Sequence, residues 1–416
     1  MSIEIIQSAA EAEGFSLLGI APAVSPSGYS HLLRWIEDGF AAEMQYFETR
    51  RQAYQHPNAI MEGVRSMVML AYPYPASLTP TSSHNIATHN HLKSSTDKTS
   101  AKLQGTSSTN VDLNSSAIRA GHGWIARYAS TGTDYHDTLH PKLKRLCKTI
   151  DSFAPESTNR GVVDTAPLME REFAQLAGLG WLGKNTLLIN KHKGSYFFLA
   201  CVLTSLSLQP SAPHETSHCG HCTACLDACP TDAFPEAGRL DARKCISYLT
   251  IEHRESIPLD LRAKIGSWLF GCDICQEVCP WNRKPTQKWR EEQAADPTCS
   301  LTGSIDLHQL FRLDDEAFRR EYRKTPMWRP RRRGLLRNAA IVLGNQRDPA
   351  SIPVLIHGLQ DSEPIVRGTC VWALSQYDKP SAIDAIANLR EEERDPQVLD
   401  EISWAMDRIR NEYESR

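Results

Sequence analysis

The sequence predicts an α+β protein of several domains: a domain of mixed helices and strands, a cysteine-rich segment and a C-terminal group of helices. Three observations support this prediction. Apolar strand patterns alternate with helical ones before residue 210, cysteines recur at short spacings between 219 and 279, and a helical segment repeats after residue 335. With 416 residues, the chain is long enough for two or three cores.

The first domain is expected at residues 1–210 and has a mixed α/β pattern. Ile3–Ala12 is predicted to be a helix, and strands are predicted at Ser66–Ala71, Gly161–Val163 and Tyr196–Leu206. Residues 77–118 differ in composition, because they are rich in Ser, Thr, Asn and His and poor in apolar residues. Such a segment cannot bury enough apolar surface to form a core, so a disordered insertion is predicted there.

Two cysteine runs predict a ferredoxin-like domain with two [4Fe–4S] clusters at residues 211–290. The first, from Cys219 to Pro230, has the spacing C-x2-C-x2-C-x3-C-P, in which the fourth cysteine binds the other cluster. The second, from Cys272 to Pro280, is one cysteine short, and Cys245 can supply it. By ferredoxin logic one cluster binds Cys219, Cys222, Cys225 and Cys279, and the other binds Cys229, Cys245, Cys272 and Cys275.

Two structural zinc sites are the alternative interpretation of these cysteines, since C-x2-C pairs also bind zinc. Zinc does not require the x3-Cys-Pro ending that occurs twice here. Four other cysteines receive no role: Cys147, Cys201, Cys299 and Cys370. Two clusters fit either an electron carrier or a reductase, and the long segment before Cys219 favours a reductase.

Residues 335–416 are predicted to form HEAT-like helical repeats. The segment that starts at Arg337 recurs thirty residues later at Arg367, and a weaker copy lies near Leu399. An ordinary helical hairpin is the alternative, and the repeated Arg, Ala and Leu positions make it less favoured.

A basic linker is predicted before these repeats, at residues 291–334. The stretch Arg319–Arg337 holds nine Arg or Lys and one acid, although the whole chain has a net charge of −3. Such a patch binds phosphates, and Trp328 could stack on a base. The predicted RNA contacts are therefore Arg329, Arg331, Arg332, Arg333 and Arg337. The alternative is a solvated charged face.

The segment Gly178–Thr186 satisfies G-x-G-x-x-G and nearly satisfies the P-loop pattern. Both matches are interpreted as false positives. The segment follows a helical stretch, Glu170–Leu176, rather than a strand, and Asn185 stands where a P-loop has Ser or Thr. The glycines are instead expected to let the backbone approach a large cofactor.

Taken together, these motifs resemble the epoxyqueuosine reductase family, iron–sulfur enzymes of tRNA modification that use cobalamin. The resemblance rests on the two cysteine runs, the helical repeats and several further motifs. These motifs are Ala126–Ala129, Asp134–His136, Val163–Arg171, Gly178–Thr186, Cys245–Glu252 and Gly271–Asn282.

The resemblance implies reduction of epoxyqueuosine to queuosine at the tRNA wobble position, with base-off cobalamin in an N-terminal α/β domain. Asp164 would be the proton donor, which requires burial to raise its pKa. The alternative role for Asp164 is a helix N-cap before Thr165. The resemblance also implies a cobalamin pocket, and the residues expected to line it are Arg127, Tyr128, Asp134, Tyr135, His136, Thr165, Met169, Lys184, Asn185, Thr186, Ser247 and Tyr248.

The expected partners are a tRNA anticodon stem-loop and an external one-electron donor of unknown identity. The N-terminus has no basic leader, and no apolar run approaches the ~20 residues needed to cross a bilayer, so a cytoplasmic monomer is expected. Two rival functions remain open. One is a cobalamin-dependent reductase like the reductive dehalogenases, and the other is a non-catalytic iron–sulfur or RNA-binding protein.

Overall fold

The structure is a computed structural model that describes residues 3–74, 118–283 and 303–414. All of the predicted insertion except residue 118 lies outside this range. The strands are β1 Leu17–Pro22, β2 Ser66–Pro73, β3 His122–Ile125, β4 Asn159–Val162, β5 Trp181–Leu182, β6 Leu188–Ile189, β7 Phe197–Thr204, β8 Trp268–Phe270 and β9 Ser304–Asp306.

The helices divide into short ones around the cysteines and longer ones at both ends of the chain. They are α1 Ile3–Ala12, α2 Tyr29–Glu37, α3 Tyr46–Thr49, α4 Tyr135–Phe153, α5 Glu170–Leu176, α6 Ala224–Asp227, α7 Ile246–Ile251, α8 Leu259–Arg262, α9 Ile274–Glu277, α10 Pro280–Arg283, α11 Leu307–Leu310, α12 Asp315–Tyr322, α13 Arg331–Gln346, α14 Ile352–Gly358, α15 Pro364–Leu374, α16 Pro380–Glu392 and α17 Pro396–Glu414.

A four-stranded sheet organises the N-terminal region, in the order β1-β2-β7-β4. Every pair in it is antiparallel, so this region mixes helices and strands as predicted, but its four-stranded sheet is not the parallel sheet of the usual α/β kind. Helices α1 and α4 cover one face and α5 packs on the other. The first six residues of β2 are therefore buried on both sides, which explains their continuous apolar run.

A second sheet joins parts of the chain that the predicted boundaries separate. Its order is β8-β3-β9, with β3 parallel to β8 and antiparallel to β9. Its three strands, β3, β8 and β9, come from the predicted first domain (1–210), the ferredoxin-like domain (211–290) and the linker (291–334), respectively. The described part of the predicted linker is thus folded, because it contains β9, α11 and α12. The three domain boundaries stay predictions.

The glycine-rich segment forms a hairpin from β5 and β6, so neither nucleotide motif has its required strand-to-helix context. The expectation that these glycines admit a cofactor is wrong for two of them. A Cβ on Gly180 would lie 2.1 Å from the Ile189 carbonyl oxygen, and one on Gly183 would lie 2.5 Å from the Ile189 side chain. These glycines admit the protein's own neighbouring strand.

The C-terminal helices stack in sequence, with α13 against α15 and α15 against α17. Proline is the first residue of α15, α16 and α17, where its missing N–H costs nothing. One buried cluster runs from Ile125 through Phe270 to Ile409, so the cysteine-rich region and the helical repeats share a core. No helix among the described residues has the length and apolar character to cross a bilayer.

Candidate active site and cluster-binding cysteines

The eight predicted ligands gather into two groups of four thiols. Burial raises the pKa of Cys225 to about 11, and its neighbouring thiols Cys279, Cys219 and Cys222 contribute. Cys275, in turn, has Cys245 and Cys229 as neighbours, and Cys272 has Cys275 and Cys245. The folded chain therefore brings thiols of both runs together in the sets that ferredoxin spacing predicts, and their assignment as cluster ligands stays a prediction.

The two groups differ in their exposure to solvent. We call Cys219, Cys222, Cys225 and Cys279 the outer group, because Cys222 is exposed and the group lines a surface cavity. The inner group is Cys229, Cys245, Cys272 and Cys275, all only partly accessible. Cys225 of the outer group also lies near Cys275, so the two groups are adjacent.

Single-ion sites were the alternative for these cysteines. Across residues 3–74, 118–283 and 303–414, no three His, Cys, Asp or Glu side chains converge closely enough to hold one metal ion.

The turn Gly183–Thr186 touches both cysteine groups. Lys184 Nζ donates to the carbonyl oxygens of Gly220 and Cys222 in the outer loop, at 2.8 and 3.0 Å. Asn185 is buried, and its Nδ2 donates to the Cys275 carbonyl oxygen of the inner group at 3.2 Å. The Thr186 carbonyl accepts from Arg171. Lys184 and Asn185, predicted as cobalamin contacts, thus bind the cluster loops.

Asp164 lies in a turn after β4, where it meets two neighbouring residues of α4. The Tyr135 hydroxyl donates to Asp164 Oδ2, and His136 Nε2 lies 2.8 Å from Asp164 Oδ1. Asp134 caps α4 by accepting from the His136 backbone N–H, and its Oδ1 also lies 2.8 Å from His136 Nδ1. The next helix begins only at Glu170, so the alternative of Asp164 as a helix N-cap is wrong.

The charges in this group are arranged differently from the sequence-based expectation. Burial acts to raise the pKa of Asp164, but hydrogen bonds from His136 and Tyr135 outweigh it and hold that pKa below its ordinary value. The expected raised pKa is therefore wrong for Asp164 in this arrangement. Hydrogen bonds to Asp134 and then to Asp164 raise the pKa of His136 to about 9. The proton near neutral pH thus resides on His136, between two carboxylates.

A row of aromatic rings connects this acid to the inner cysteines. The Tyr135 ring lies 6.1 Å from that of Tyr128, which lies 6.2 Å from that of Phe270. Phe270 is two residues before Cys272. A continuous row of packed rings therefore connects the Asp164 group to the segment that carries the inner cysteines.

Arg127 faces the inner group instead of Asp164. Its backbone N–H donates to Asp273 at 2.7 Å, and its side chain pairs with Glu277 at 2.8 Å. Its guanidinium also lies 5.0 Å from the centre of the Tyr196 ring. Arg127 neutralises acids beside Cys272 and Cys275.

The remaining predicted cofactor residues have different surroundings. Tyr248 is buried, and its hydroxyl accepts from the Glu43 backbone N–H. Met169 packs on the core under α5, whereas Ser247 and Thr165 are accessible to solvent. Sequence reasoning missed Arg50, whose guanidinium donates to the Thr165 carbonyl at 3.0 Å beside Asp164. No local motif marks this contact between residues 115 positions apart.

Two of the five predicted RNA-binding arginines are buried or mostly buried and bind other groups of the protein. Arg337 is fully buried, and it donates to the carbonyl oxygens of Leu249, His253 and Glu255. Its prediction as a tRNA contact is wrong, because no phosphate can reach it. Burial also lowers its pKa to about 9. Arg332 is mostly buried and pairs with Asp361.

The other three arginines stay accessible. Arg329 pairs with Glu252 at 3.0 Å and Arg331 stacks on Trp328 at 4.2 Å, while Arg333 lies 3.9 Å from Glu363. Arg254, which no sequence pattern marked, joins them by donating to the Arg329 carbonyl oxygen at 2.6 Å. Burial and then the nearby arginines lower the pKa of Arg254. We call Arg254, Arg329, Arg331 and Arg333 the arginine face.

Tyr46 connects the arginine face to the candidate acid. Burial raises its pKa, and the charges of Glu252, Arg329 and Asp164 all act on it. Its ring packs on Phe47, which packs on Tyr54. Tyr46 therefore lies within electrostatic range of both Arg329 and Asp164, and Phe47 and Tyr54 extend an aromatic cluster from it.

Two adjacent groups of four thiols are suited to hold two iron–sulfur clusters, which transfer single electrons, and packed rings connect one group to an acid that can donate protons. The fold and site therefore define an iron–sulfur oxidoreductase. Family models agree with this class: a 4Fe-4S double cluster binding domain matches residues 218–282, and HEAT repeats match 332–407. The two [4Fe–4S] clusters and the helical repeats are thereby confirmed.

The chain belongs to the epoxyqueuosine reductase family. The model described as epoxyqueuosine reductase QueG, DUF1730, matches residues 55–165. An epoxyqueuosine reductase of Pseudomonas aeruginosa is 36% identical over 88% of this chain and 91% of its own length. The epoxyqueuosine reductase of Escherichia coli K12 is 32% identical over 87% of this chain and 86% of its own length.

Solved structures show the same fold. A selenomethionine-labelled epoxyqueuosine reductase superposes with a TM-score of 0.82 and 26% identity, covering 98% of both chains. A structure of epoxyqueuosine reductase with an epoxyqueuosine-modified tRNA-Tyr stem loop has a TM-score of 0.81, 26% identity and the same coverage. The resemblance inferred from the motifs is thereby confirmed.

Proposed function

We propose that this protein reduces epoxyqueuosine to queuosine at the wobble position of tRNA, using two [4Fe–4S] clusters and base-off cobalamin. The reaction takes two electrons and two protons, and the epoxide oxygen leaves as water. The observation that carries the proposal is the Asp134–His136–Asp164 chain, with Tyr135, beside the inner cysteine group. The activity for which the relatives are named and the solved RNA complex of one relative support the substrate. They do not favour a dehalogenase-like reductase.

The residues around Asp164 are suited to delivering protons. An epoxide oxygen is a poor leaving group until it is protonated, so an acid must face the substrate. Asp164 presents its carboxyl group to solvent, with 47% of the side chain exposed. The proton that it needs lies one hydrogen bond away on His136, which Asp134 holds in orientation. Asp164 would pass this proton to the oxygen, and His136 would replace it.

The residues present also fit a cobalamin that receives no ligand from His136. Both ring nitrogens of His136 lie 2.8 Å from carboxylate oxygens, so neither is directed at a metal. The accessible Thr165 and Ser247 are the polar groups from the predicted set that could hold the cofactor. When bound, cobalamin would supply a strong cobalt-centred reductant and the clusters would supply its electrons.

The arginine face supports binding of an anticodon stem-loop. Its cations outnumber the facing carboxylates of Glu252 and Glu363, and phosphate is the counter-ion that guanidinium groups bind best in nucleic acids. Tyr46, Phe47 and Tyr54 would place flat apolar surface between this face and Asp164, where an extruded base can stack. An external one-electron donor and a monomeric state complete the proposal.

Turnover of an anticodon stem-loop that carries epoxyqueuosine tests the proposal. The reconstituted protein is reduced with photoreduced deazaflavin, and the nucleosides are measured by mass spectrometry. Wild-type protein should produce queuosine, and Asp164→Asn should lower kcat by about 10²–10⁴-fold with clusters and RNA binding retained. The exposed Asp137→Asn is the matched control and should keep full activity.

The outcomes separate the parts of this proposal. Queuosine from Asp164→Asn at the wild-type rate would contradict the role of Asp164 alone. No queuosine from the loaded wild-type protein would contradict the function itself and favour a non-catalytic protein. Because the pKa of His136 is raised to about 9, the wild-type kcat should fall as pH rises through that value, when the imidazolium is lost.

A further inference from the structure

Lys184 places its ammonium group on the loop of the outer cysteine group. Its Nζ donates to the carbonyl oxygens of Gly220 and Cys222, at 2.8 and 3.0 Å. These residues belong to the loop that presents two outer thiols, and Lys184 lines the same cavity as Cys219, Cys225 and Cys279. A positive charge therefore sits beside the space that the outer cluster would occupy.

The backbone around Lys184 leaves little freedom for this charge to move away. The Gly183 and Thr186 amides bond within the turn, and Thr186 has φ of +66°, a conformation that holds the turn tight. The Lys184 carbonyl accepts from the Gly238 amide at 2.8 Å. The next residue, Asn185, is anchored on the inner loop through Cys275. The turn is thus built to hold Lys184 where it is.

The electrostatics at the contact favour an added electron. Both acceptors of Lys184 are neutral carbonyl oxygens, so its positive charge is not neutralised there by a carboxylate. A cluster gains one negative charge when it is reduced, and a nearby cation stabilises that state. The inner group instead has the buried Asp273 next to Cys272, and Arg127 is shared between Asp273 and Glu277.

We propose that Lys184 is a positioning residue that raises the reduction potential of the outer cluster above that of the inner one. The outer cluster is then the one that accepts electrons from a donor in solution, which agrees with the exposure of Cys222. The inner cluster keeps the lower potential and is the stronger reductant toward the Asp164 site. This inference needs the two clusters but not the RNA reaction.

The test is a redox titration of the reconstituted protein followed by electron paramagnetic resonance. Cys222→Ser, which alters an outer ligand, identifies the outer-cluster signal. Lys184→Gln should lower the potential of that signal alone, by about tenfold in the ratio of reduced to oxidised cluster, or about 59 mV for one electron. Lys184→Arg keeps the charge and should restore most of the difference. Lys191→Gln, at an exposed lysine seven residues later, is the matched control and should change neither potential.

The other results of this titration also test the role of Lys184. An unchanged outer potential in Lys184→Gln would overturn the proposal, as would equal shifts of both clusters. Iron content shows whether both clusters assemble. Loss of the outer cluster in both Lys184→Gln and Lys184→Arg would assign Lys184 a purely structural role. Its loss in Lys184→Gln, with the wild-type potential kept in Lys184→Arg, would still require the charge.

Discussion

The cysteine runs and the arginine stretch are equally conspicuous in the sequence, but they differ in how many of their residues occupy the predicted places in the folded chain. All eight cysteines assigned from their spacing enter the two predicted groups. Of the five arginines assigned from their density, Arg337 is buried and Arg332 is committed to Asp361. Cysteine spacing therefore predicts the role of its residues in the folded chain better than the density of arginines does.

The reason is how far each pattern reaches. A C-x2-C-x2-C turn directs its own thiols toward one point, because the geometry is local. Arginines 332, 333 and 337 lie on one helix, α13, whose faces meet different surroundings. Arg333 faces solvent, whereas Arg337 donates to carbonyl oxygens within α7 and just after it. Only the packing of α13 decides which charge remains available.

The largest effect is expected on removing Cys245, the one predicted cluster ligand that lies outside both runs. Cys245→Ser should lose the inner cluster and about half of the iron, because the group would then hold three thiols. Iron analysis and the visible spectrum measure this loss. Cys147→Ser changes a buried thiol outside both groups and should keep the full iron content. Full iron in Cys245→Ser would remove Cys245 from the ligand set.

The next largest effect is expected at the buried arginine. Arg337→Met should lower the free energy of unfolding by roughly 3 kcal/mol, because three buried carbonyl oxygens lose their donor. Denaturant unfolding measures this change, and Arg320→Met, at an exposed position of α12, should be nearly neutral. A stable Arg337→Met protein with weakened RNA binding would reverse the assignment made from burial.

A salt series on RNA binding sharpens the distinction among the arginines of α13. Arg331→Ala with Arg333→Ala should reduce the slope of log affinity against log salt by about 1.5, since two phosphate contacts are lost. Arg332→Ala should leave the slope unchanged, because its charge is used by Asp361. Fluorescence anisotropy with an anticodon stem-loop measures both. Equal slopes in the wild-type protein, the double variant and the Arg332→Ala variant would show that the arginine face does not bind phosphate.

The smallest effect is expected for the arginine that no sequence pattern marked. Arg254→Gln should reduce the salt slope by about 0.7–0.9, one phosphate contact, and leave the clusters intact. Arg243→Gln provides a comparison, because that arginine is engaged with Asp241 through two hydrogen bonds. A slope for Arg254→Gln that matches the Arg243→Gln protein would exclude Arg254 from the arginine face.

Sequence patterns predicted much of the secondary structure. The helix at Ile3–Ala12 is confirmed, and the strand predicted at Ser66–Ala71 extends to Pro73. Two further strands occur within a few residues of their predicted positions, at Asn159–Val162 and Phe197–Thr204. Strand direction was not predictable, because an apolar run has the same pattern in either direction.

The candidate site was predictable in its members but not in its chemistry. Asp164, Tyr135 and His136 were all singled out, and they meet in the folded chain. The protonation state of these residues was not predictable from the sequence, because the pKa of Asp164 depends on hydrogen bonds that outweigh the effect of its burial. Lys184 was likewise singled out, but its position on the outer loop follows from a hairpin thirty-six residues before Gly220.

By itself, the sequence determined the two-cluster framework, the helical repeats and the family, because these depend on local spacing and periodicity. Tertiary structure alone decided which cysteine group faces solvent, which arginines stay accessible to solvent and where the proton beside Asp164 resides. Those properties depend on contacts between residues far apart in the chain. A residue's burial and charged neighbours exist only after the chain has folded.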